Sequence, residues 1–188
     1  MAQVDANGLH GGLKVEIDRD PYVVVSAQFV KPGKGQAFTR TKLKHLMTGR
    51  VIEKTFRSNE KLQLADVEEK KMRMLYKEQD GAVFMDEQTF DQVTLPFSLI
   101  EENEKWLQED VVYDLIFYNG TAVSLSPPTF MELVITETEP GARGDTASGR
   151  VLKPATLETG AKTQVPIFID QGEKIKVDTR TGEYVSRV

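Results

Sequence analysis

No cysteine occurs anywhere in the 188 residues, which removes disulfides, thiol nucleophiles and thiolate metal sites together. Histidine is nearly as scarce. His10 and His45 are too few for a histidine cage around a metal, and each reads as a lone surface or core residue. No loop alternates Asp and Asn at calcium-binding spacing. No apolar run is long enough to span a bilayer, and residues 1–7 lack the basic-then-apolar start of a secretory signal. The absence of thiols suits a reducing compartment, so the expectation is a cytoplasmic protein that makes no membrane contact and holds neither metal nor cofactor.

Catalytic groupings are missing as well. Ser148 has Asp145 nearby in sequence but no histidine in its own segment to serve as base. The pairs Glu68-Glu69 and Glu101-Glu102 are sequence neighbours and read as solvated surface. Lys34 follows Gly33, yet the glycine four residues upstream and the Ser or Thr downstream that a nucleotide-binding phosphate loop requires are both absent. The chain reads as a non-enzyme with no catalytic residues.

What is present is period-two alternation, with helical periodicity nearly absent. Residues 13–17 alternate cleanly, Asp18-Arg19-Asp20-Pro21 reads as a turn, and residues 22–25 resume a strand. Residues 37–44 and 51–56 add two more strands, separated by a turn at Thr48-Gly49. About five short strands in about sixty residues suit a small SH3-like barrel. The pattern restarts at residues 72–76, turns at Gln79-Asp80-Gly81, and continues through 82–85. It reaches 111–118, closed by Asn119-Gly120, a strong two-residue hairpin signal. One helix is expected, between Phe97 and Glu109, where Leu99, Ile100, Trp106 and Leu107 can share a face. Pro127-Pro128 breaks the chain, since neither proline can donate to a sheet ladder. A third unit then shows strands at 130–136, 165–169, 174–177 and 184–185, with a loop at 140–149. The expectation is a mainly all-β protein of three tandem small barrels, over residues 1–63, 64–127 and 128–188. Barrels of this size bury only about 60% of their unfolded surface, so the second and third are expected to pack on each other.

The net charge of −5 argues against a nucleic-acid partner until it is divided by segment. Residues 1–63 carry eleven basic against six acidic groups, a net +5; residues 64–127 carry −9 and residues 128–188 carry −1. The basic excess gathers in Lys31, Lys34, Arg40, Lys42, Lys44, Arg50, Lys54 and Arg57. Such an end would both attract and orient on a phosphate surface; the alternative is solvated charge on short surface strands. Within this end, Lys31-Pro32-Gly33-Lys34 has the residues of a type II turn, with proline presetting φ and Gly33 taking the positive φ. Gly35 follows, and the result would be a narrow tip projecting Lys34. A lysine in such a turn is otherwise simply solvated.

These segments resemble bacterial elongation factor P across essentially the whole chain. The stretch from Phe29-Val30-Lys31-Pro32-Gly33-Lys34-Gly35 to Phe38 is similar to that family's tip hairpin. Glu53-Lys54-Thr55-Phe56 is similar to its next hairpin, and Tyr76, Phe84-Met85-Asp86 and Thr89-Phe90 to its middle domain. The most specific similarity runs through Glu139-Pro140-Gly141, Gly144-Asp145-Thr146-Ala147, Lys153-Pro154-Ala155-Thr156-Leu157 and residues 174–184. Departures lie at residues 7–12 and at Arg19, where a turn glycine is common. The resemblance implies an L-shaped monomer with an SH3-like, KOW-type domain followed by two OB-fold domains. It implies binding to the ribosome beside peptidyl-tRNA and relief of stalling at consecutive prolines. It further implies that a lysine-modifying enzyme extends Lys34, that residues 31–35 approach the tRNA CCA end, and that Arg40, Gly144, Asp145, Thr146, Ala147, Tyr184 and Arg187 touch tRNA or ribosome. A general RNA-binding adaptor built from KOW and OB modules, without a role in stalling, is the alternative.

Overall fold

The computed structural model describes residues 2–140 and 151–188, and almost every alternating run becomes a strand. The first six strands are β1 (Gln3–Asp5), β2 (Lys14–Ile17), β3 (Asp20–Val30), β4 (Phe38–His45), β5 (Val51–Arg57) and β6 (Lys61–Leu64). They form one sheet in the order β1-β6-β2-β3-β4-β5. The sheet curls around Ala6, Leu9, Val15, Val24, Leu43, Phe56 and Leu62, all buried. The β2–β3 connection is a two-residue turn, since Ile17 pairs with Asp20. Asp18 and Arg19 hold positive φ of 52° and 69°, the type I′ geometry that matches strand twist. Arg19 therefore takes the left-handed conformation without being a glycine.

Two threonines in this barrel illustrate how burial separates good from poor polar contacts. Thr41 is buried and its hydroxyl donates to the Lys54 carbonyl at 2.7 Å. Thr39 is equally buried, but its hydroxyl has no hydrogen-bond partner among the described residues. Burying an unpaired hydroxyl costs about 1–3 kcal/mol, whereas a made bond contributes about 1 kcal/mol. Thr39→Val is expected to stabilise by about 1 kcal/mol and Thr41→Val to destabilise by about the same. Urea denaturation of the two variants checks the opposite signs.

The middle strands are β7 (Val67–Lys77), β8 (Gly81–Asp86), β9 (Gln92–Pro96), β10 (Val112–Tyr118) and β11 (Thr121–Ser126), in sheet order β11-β10-β7-β8-β9. Asn119 and Gly120, with φ of 50° and 79°, make the expected type I′ turn between β10 and β11. The expected helix between Phe97 and Glu109 does not form. Two 3₁₀ turns stand there instead, Phe97–Leu99 and Glu104–Trp106, and the described residues contain no α-helix. Successive backbone bonds run three residues back: Ile100 to Phe97, Asn103 to Ile100, and Trp106 to Asn103. Competing anchors explain the tighter winding. The Asn103 amide donates to the Leu125 carbonyl, the Gln108 N–H donates to the Tyr113 hydroxyl, and that hydroxyl donates to the Trp106 carbonyl. A continuous helix would have to surrender these bonds. Leu99 is left half-exposed while Ile100, Trp106 and Leu107 are buried. Burial lifts the Tyr113 phenol to about 12.

The last strands are β12 (Phe130–Thr138), β13 (Leu152–Leu157), β14 (Lys162–Pro166), β15 (Lys174–Asp178) and β16 (Glu183–Arg187), in sheet order β14-β13-β12-β15-β16. Strand β13 escapes a sequence reading because Pro154 argues against an interior strand. The structure accommodates it at the end of the β12 ladder, where Thr138 and Ala155 form the last pair. The absent N–H thus lies past the pairing with β12, while Pro154 still faces Gln164 in the β13–β14 ladder, and the Pro154 carbonyl accepts the Thr138 hydroxyl at 2.9 Å.

By contacts the chain divides into two units, Met1–Lys70 with Leu115–Ser124, and Lys71–Asp114 with Leu125–Val188. Within the second unit Trp106 lies in one buried cluster with Met131, Leu133, Ile135, Leu157, Val165, Ile175 and Val177, and Val111 packs against it. Middle and C-terminal segments thus share a core, as the small size of each barrel led us to expect. The Thr179 hydroxyl donates to the Pro128 carbonyl at 2.6 Å, tying the proline junction to the last barrel. No helix among the described residues is long and apolar enough to cross a membrane.

Candidate nucleic-acid interface

The basic excess of the first barrel gathers on two adjacent strands, β4 and β5, and in the loop that joins β3 to β4. Strand β4 pairs with β3 from Tyr22↔His45 to Val30↔Phe38, and with β5 from Phe38↔Arg57 to Lys44↔Val51. A bulge at Val25 shifts the β3–β4 register once. Because opposed residues share a face and neighbours alternate, the register sorts the charges. Arg40, Lys42, Lys44 and Arg57 stand on the outer face. The opposite face carries the rows Phe29–Thr39–Phe56 and Ala27–Thr41–Lys54. Lys42 faces Glu53 at 3.8 Å, both exposed, and Lys54 lies 5.5 Å from the Phe56 ring centre. No Asp or Glu occurs from residue 21 to residue 52, so the distal half of this hairpin is uniformly cationic. An exposed pair such as Lys42–Glu53 contributes about 0–1 kcal/mol, leaving Lys42 available to other anions.

Beyond the last pair, Val30↔Phe38, residues 31–37 form the connecting loop. Lys31, Gly33, Lys34 and Gly35 are exposed and Pro32 is half-buried. The expected type II turn is not there. Gly33 does not take positive φ; Gly35 does, at 110°. Residues 33–35 bend without a hydrogen-bonded turn. Seven residues give the chain room to reverse gradually, so the reversal shifts two residues past the position that Pro32 would impose on a tight turn. Gly35 is therefore the position that a side chain would strain. On the returning side the loop is anchored, since the Ala37 carbonyl accepts the Ser58 hydroxyl at 3.0 Å and its N–H at 3.4 Å. Lys34 thus projects from a loop held firmly at its base and lightly at its apex.

His45 has a structural task at the opposite end of this hairpin. Its Nδ1 accepts the Met47 and Thr48 N–H groups at 3.1 and 3.2 Å, so the ring proton sits on Nε2, 3.0 Å from the Asp20 carboxylate. Its ring also packs edge-on against Tyr22, at a centroid distance of 4.8 Å.

The remaining expected contact residues lie on β16 or outside the described residues. Tyr184 is half-buried against the C-terminal core. Arg187 is already engaged: it donates to the Glu173 carboxylate and lies 5.3 Å from the Phe168 ring centre. Glu173 is held below the usual carboxylate range, chiefly by the Asp170 N–H at 2.6 Å and then by Arg187. Gly144, Asp145, Thr146 and Ala147, together with Ser148, lie outside the described residues. The structure brings Lys31, Pro32, Gly33, Lys34 and Gly35 into one loop with Arg40 close below it on β4. One residue of this region was missed: Ser58 anchors the loop by a contact twenty-one residues away, with no local signal. Arg57 was counted among the cations, but its place on the outer face follows only from the β4–β5 register.

Comparison with known proteins aligns with this architecture. The elongation factor P KOW-like domain matches residues 5–62, the elongation factor P OB domain residues 67–125, and the elongation factor P C-terminal domain residues 131–187. Elongation factor P 2 of Protochlamydia amoebophila is 66% identical over 188 residues, covering 100% of this chain and 99% of that protein. Its counterpart in Chlamydia trachomatis serovar D is 58% identical, with the same coverage. Elongation factor P of Coprothermobacter proteolyticus is 51% identical over 185 residues, or 98% of this chain and 99% of that one. Among solved structures, eukaryotic translation initiation factor 5A from Methanococcus jannaschii superposes with a TM-score of 0.52 at 25% identity, covering 67% of this chain and 94% of that one.

Proposed function

Because the chain belongs to the elongation factor P family, we propose that this translation elongation factor binds the ribosome beside peptidyl-tRNA and stimulates peptide-bond formation at consecutive prolines through Lys34. One observation carries the reading: an exposed lysine at the apex of a glycine-bearing loop, on a hairpin whose residues 21–52 contain no carboxylate. A polyanionic surface attracts such a hairpin tip and repels the acidic middle segment. Arg40, Lys42, Lys44 and Arg57 take phosphates along the outer face, and residues 31–35 approach the CCA end. Tyr184, Arg187 and the segment Gly144-Asp145-Thr146-Ala147 supply further contacts to tRNA or ribosome.

The proposed mechanism is positional. Proline is conformationally restricted, so a nascent chain ending in prolines holds its ester poorly for attack. Orientation of reacting groups is worth several kcal/mol of barrier. Lys34, extended by a modifying enzyme of the host, pins the CCA end and restores the geometry, while the reacting groups belong to the ribosome. The test is reconstituted translation of a message encoding three consecutive prolines, with and without the protein purified from its host. The expected outcome is a faster passage through the prolines and no change on an alanine message. Equal rates with and without the protein, combined with binding to free RNA as tight as to ribosomes, would favour a general RNA adaptor instead.

A further inference from the structure

Phe29 is the next-to-last residue of β3 and remains 53% exposed, beside the Lys34 loop. Its ring tops the row Phe29–Thr39–Phe56, where Thr39 is 2% and Phe56 5% exposed. The buried pair forms a firm floor, so the position of the exposed ring is set by packing on one side only. Lys54 rises from the same face in the next row and is the cation nearest the Phe56 ring. Lys31 and Lys34 follow in the loop. No carboxylate lies between residues 21 and 52 or between 54 and 59. A half-exposed phenyl ring on the face that carries Lys54, next to a loop that carries Lys31 and Lys34, is a combination that fits a ligand with a flat apolar face and negative charge next to it.

We infer that Phe29 is a stacking platform for an unpaired nucleobase at a single-stranded RNA end, with Lys54, Lys31 and Lys34 taking the adjoining phosphates. Duplex RNA keeps its base faces hidden, whereas an unpaired end offers them, and stacking on an aromatic ring tolerates any base. The inference deepens the tRNA reading above and rests on it for the source of that end. Phe29 is a positioning residue here: it aligns the strand end while Lys34 reaches past it. An acidic protein surface is the competing occupant, and the experiment separates the two.

The experiment uses the full chain with Phe29→Trp. Trp106 is the only native tryptophan and is 2% exposed, so it contributes a steady background. The titrants are a short oligoribonucleotide, an abasic strand of equal length and a polyglutamate peptide. The oligoribonucleotide is expected to quench the introduced indole saturably, and the other two are not. By anisotropy, Phe29→Ala should bind the oligoribonucleotide about 10-fold more weakly, while Phe29→Tyr stays within about two-fold of the native chain. The thermal midpoint of the Ala variant should fall by no more than a few degrees, because half of the ring is already exposed. Lys34→Ala should weaken oligoribonucleotide binding by about two- to three-fold through its lost phosphate contact, yet reach the same quench at saturation, which keeps a failure of the tip-lysine reading distinct from a failure of this one. The inference is overturned if the abasic strand quenches equally, if Phe29→Ala binds RNA as the native chain does, or if polyglutamate produces the quench.

Discussion

Lys34→Ala is expected to bring translation through three consecutive prolines back to the rate without the factor, and to leave an alanine message untouched. The side chain is exposed and lies in a loop whose base is held elsewhere, at Ala37 and Ser58. Its removal therefore takes away reach and charge without disturbing the barrel. Circular dichroism and the thermal midpoint should match the native protein, since surface substitutions away from special features stay within about 0.5 kcal/mol. Lys34→Arg sharpens the result. It keeps a cation at the tip, but a guanidinium is not the primary amine that a modifying enzyme would extend. If extension supplies the pinning, Lys34→Arg fails as Lys34→Ala does. If charge alone suffices, it retains most of the stimulation. Full stimulation by Lys34→Ala would overturn the proposed function.

Trp106→Ala is expected to give the largest loss of stability, about 3–5 kcal/mol. Trp106 is 2% exposed and is the one residue of the middle segment in the C-terminal buried cluster. It sits on a 3₁₀ turn of three residues, too short to hold its shape through its own hydrogen bonds. The turn is held by what Trp106 packs against and by the Tyr113 hydroxyl on its carbonyl. Removing the indole opens a cavity in the cluster and frees the turn together. Urea denaturation followed by circular dichroism measures the loss, because the variant has no tryptophan to report by fluorescence. The first barrel has its own separate core, so its amide signals should persist at urea concentrations where those of the C-terminal barrel are lost. A loss under about 1 kcal/mol would show that the shared cluster is not what supports these segments.

Much of the fold was legible because sheets with one buried face write their pattern along the chain. Alternation marked β2, β4, β5, β8, β10 and β15, and Asn119-Gly120 marked its turn, since type I′ geometry requires residues that tolerate positive φ. The same local logic failed where a tertiary partner outweighed it. The apolar spacing of Leu99, Ile100, Trp106 and Leu107 suited a helix, but side-chain bonds from Asn103 and Tyr113 drew the segment into 3₁₀ turns. No strand was expected at residues 152–157, and the end of the β12 ladder lets one form there in spite of Pro154. Arg19 adopted a conformation that a glycine would take more easily, and no neighbouring residue announces it.

The candidate site divides the same way. Composition and order alone determined a cationic first segment, an acidic second one, and a lysine among glycines at the head of a hairpin, because charge and turn chemistry are properties of the residues themselves. They also determined the family, through motifs that run the length of the chain. Only the tertiary structure decided which cations act together. Strand register sends Arg40, Lys42, Lys44 and Arg57 to one face and leaves Phe29 with Lys54 on the other. It also moved the positive φ from Gly33 to Gly35, since loop length and the anchor at Ser58 set where the chain reverses. Register and anchoring join residues far apart in sequence. Their energies belong to pairs, and a pair is defined only once the chain has folded.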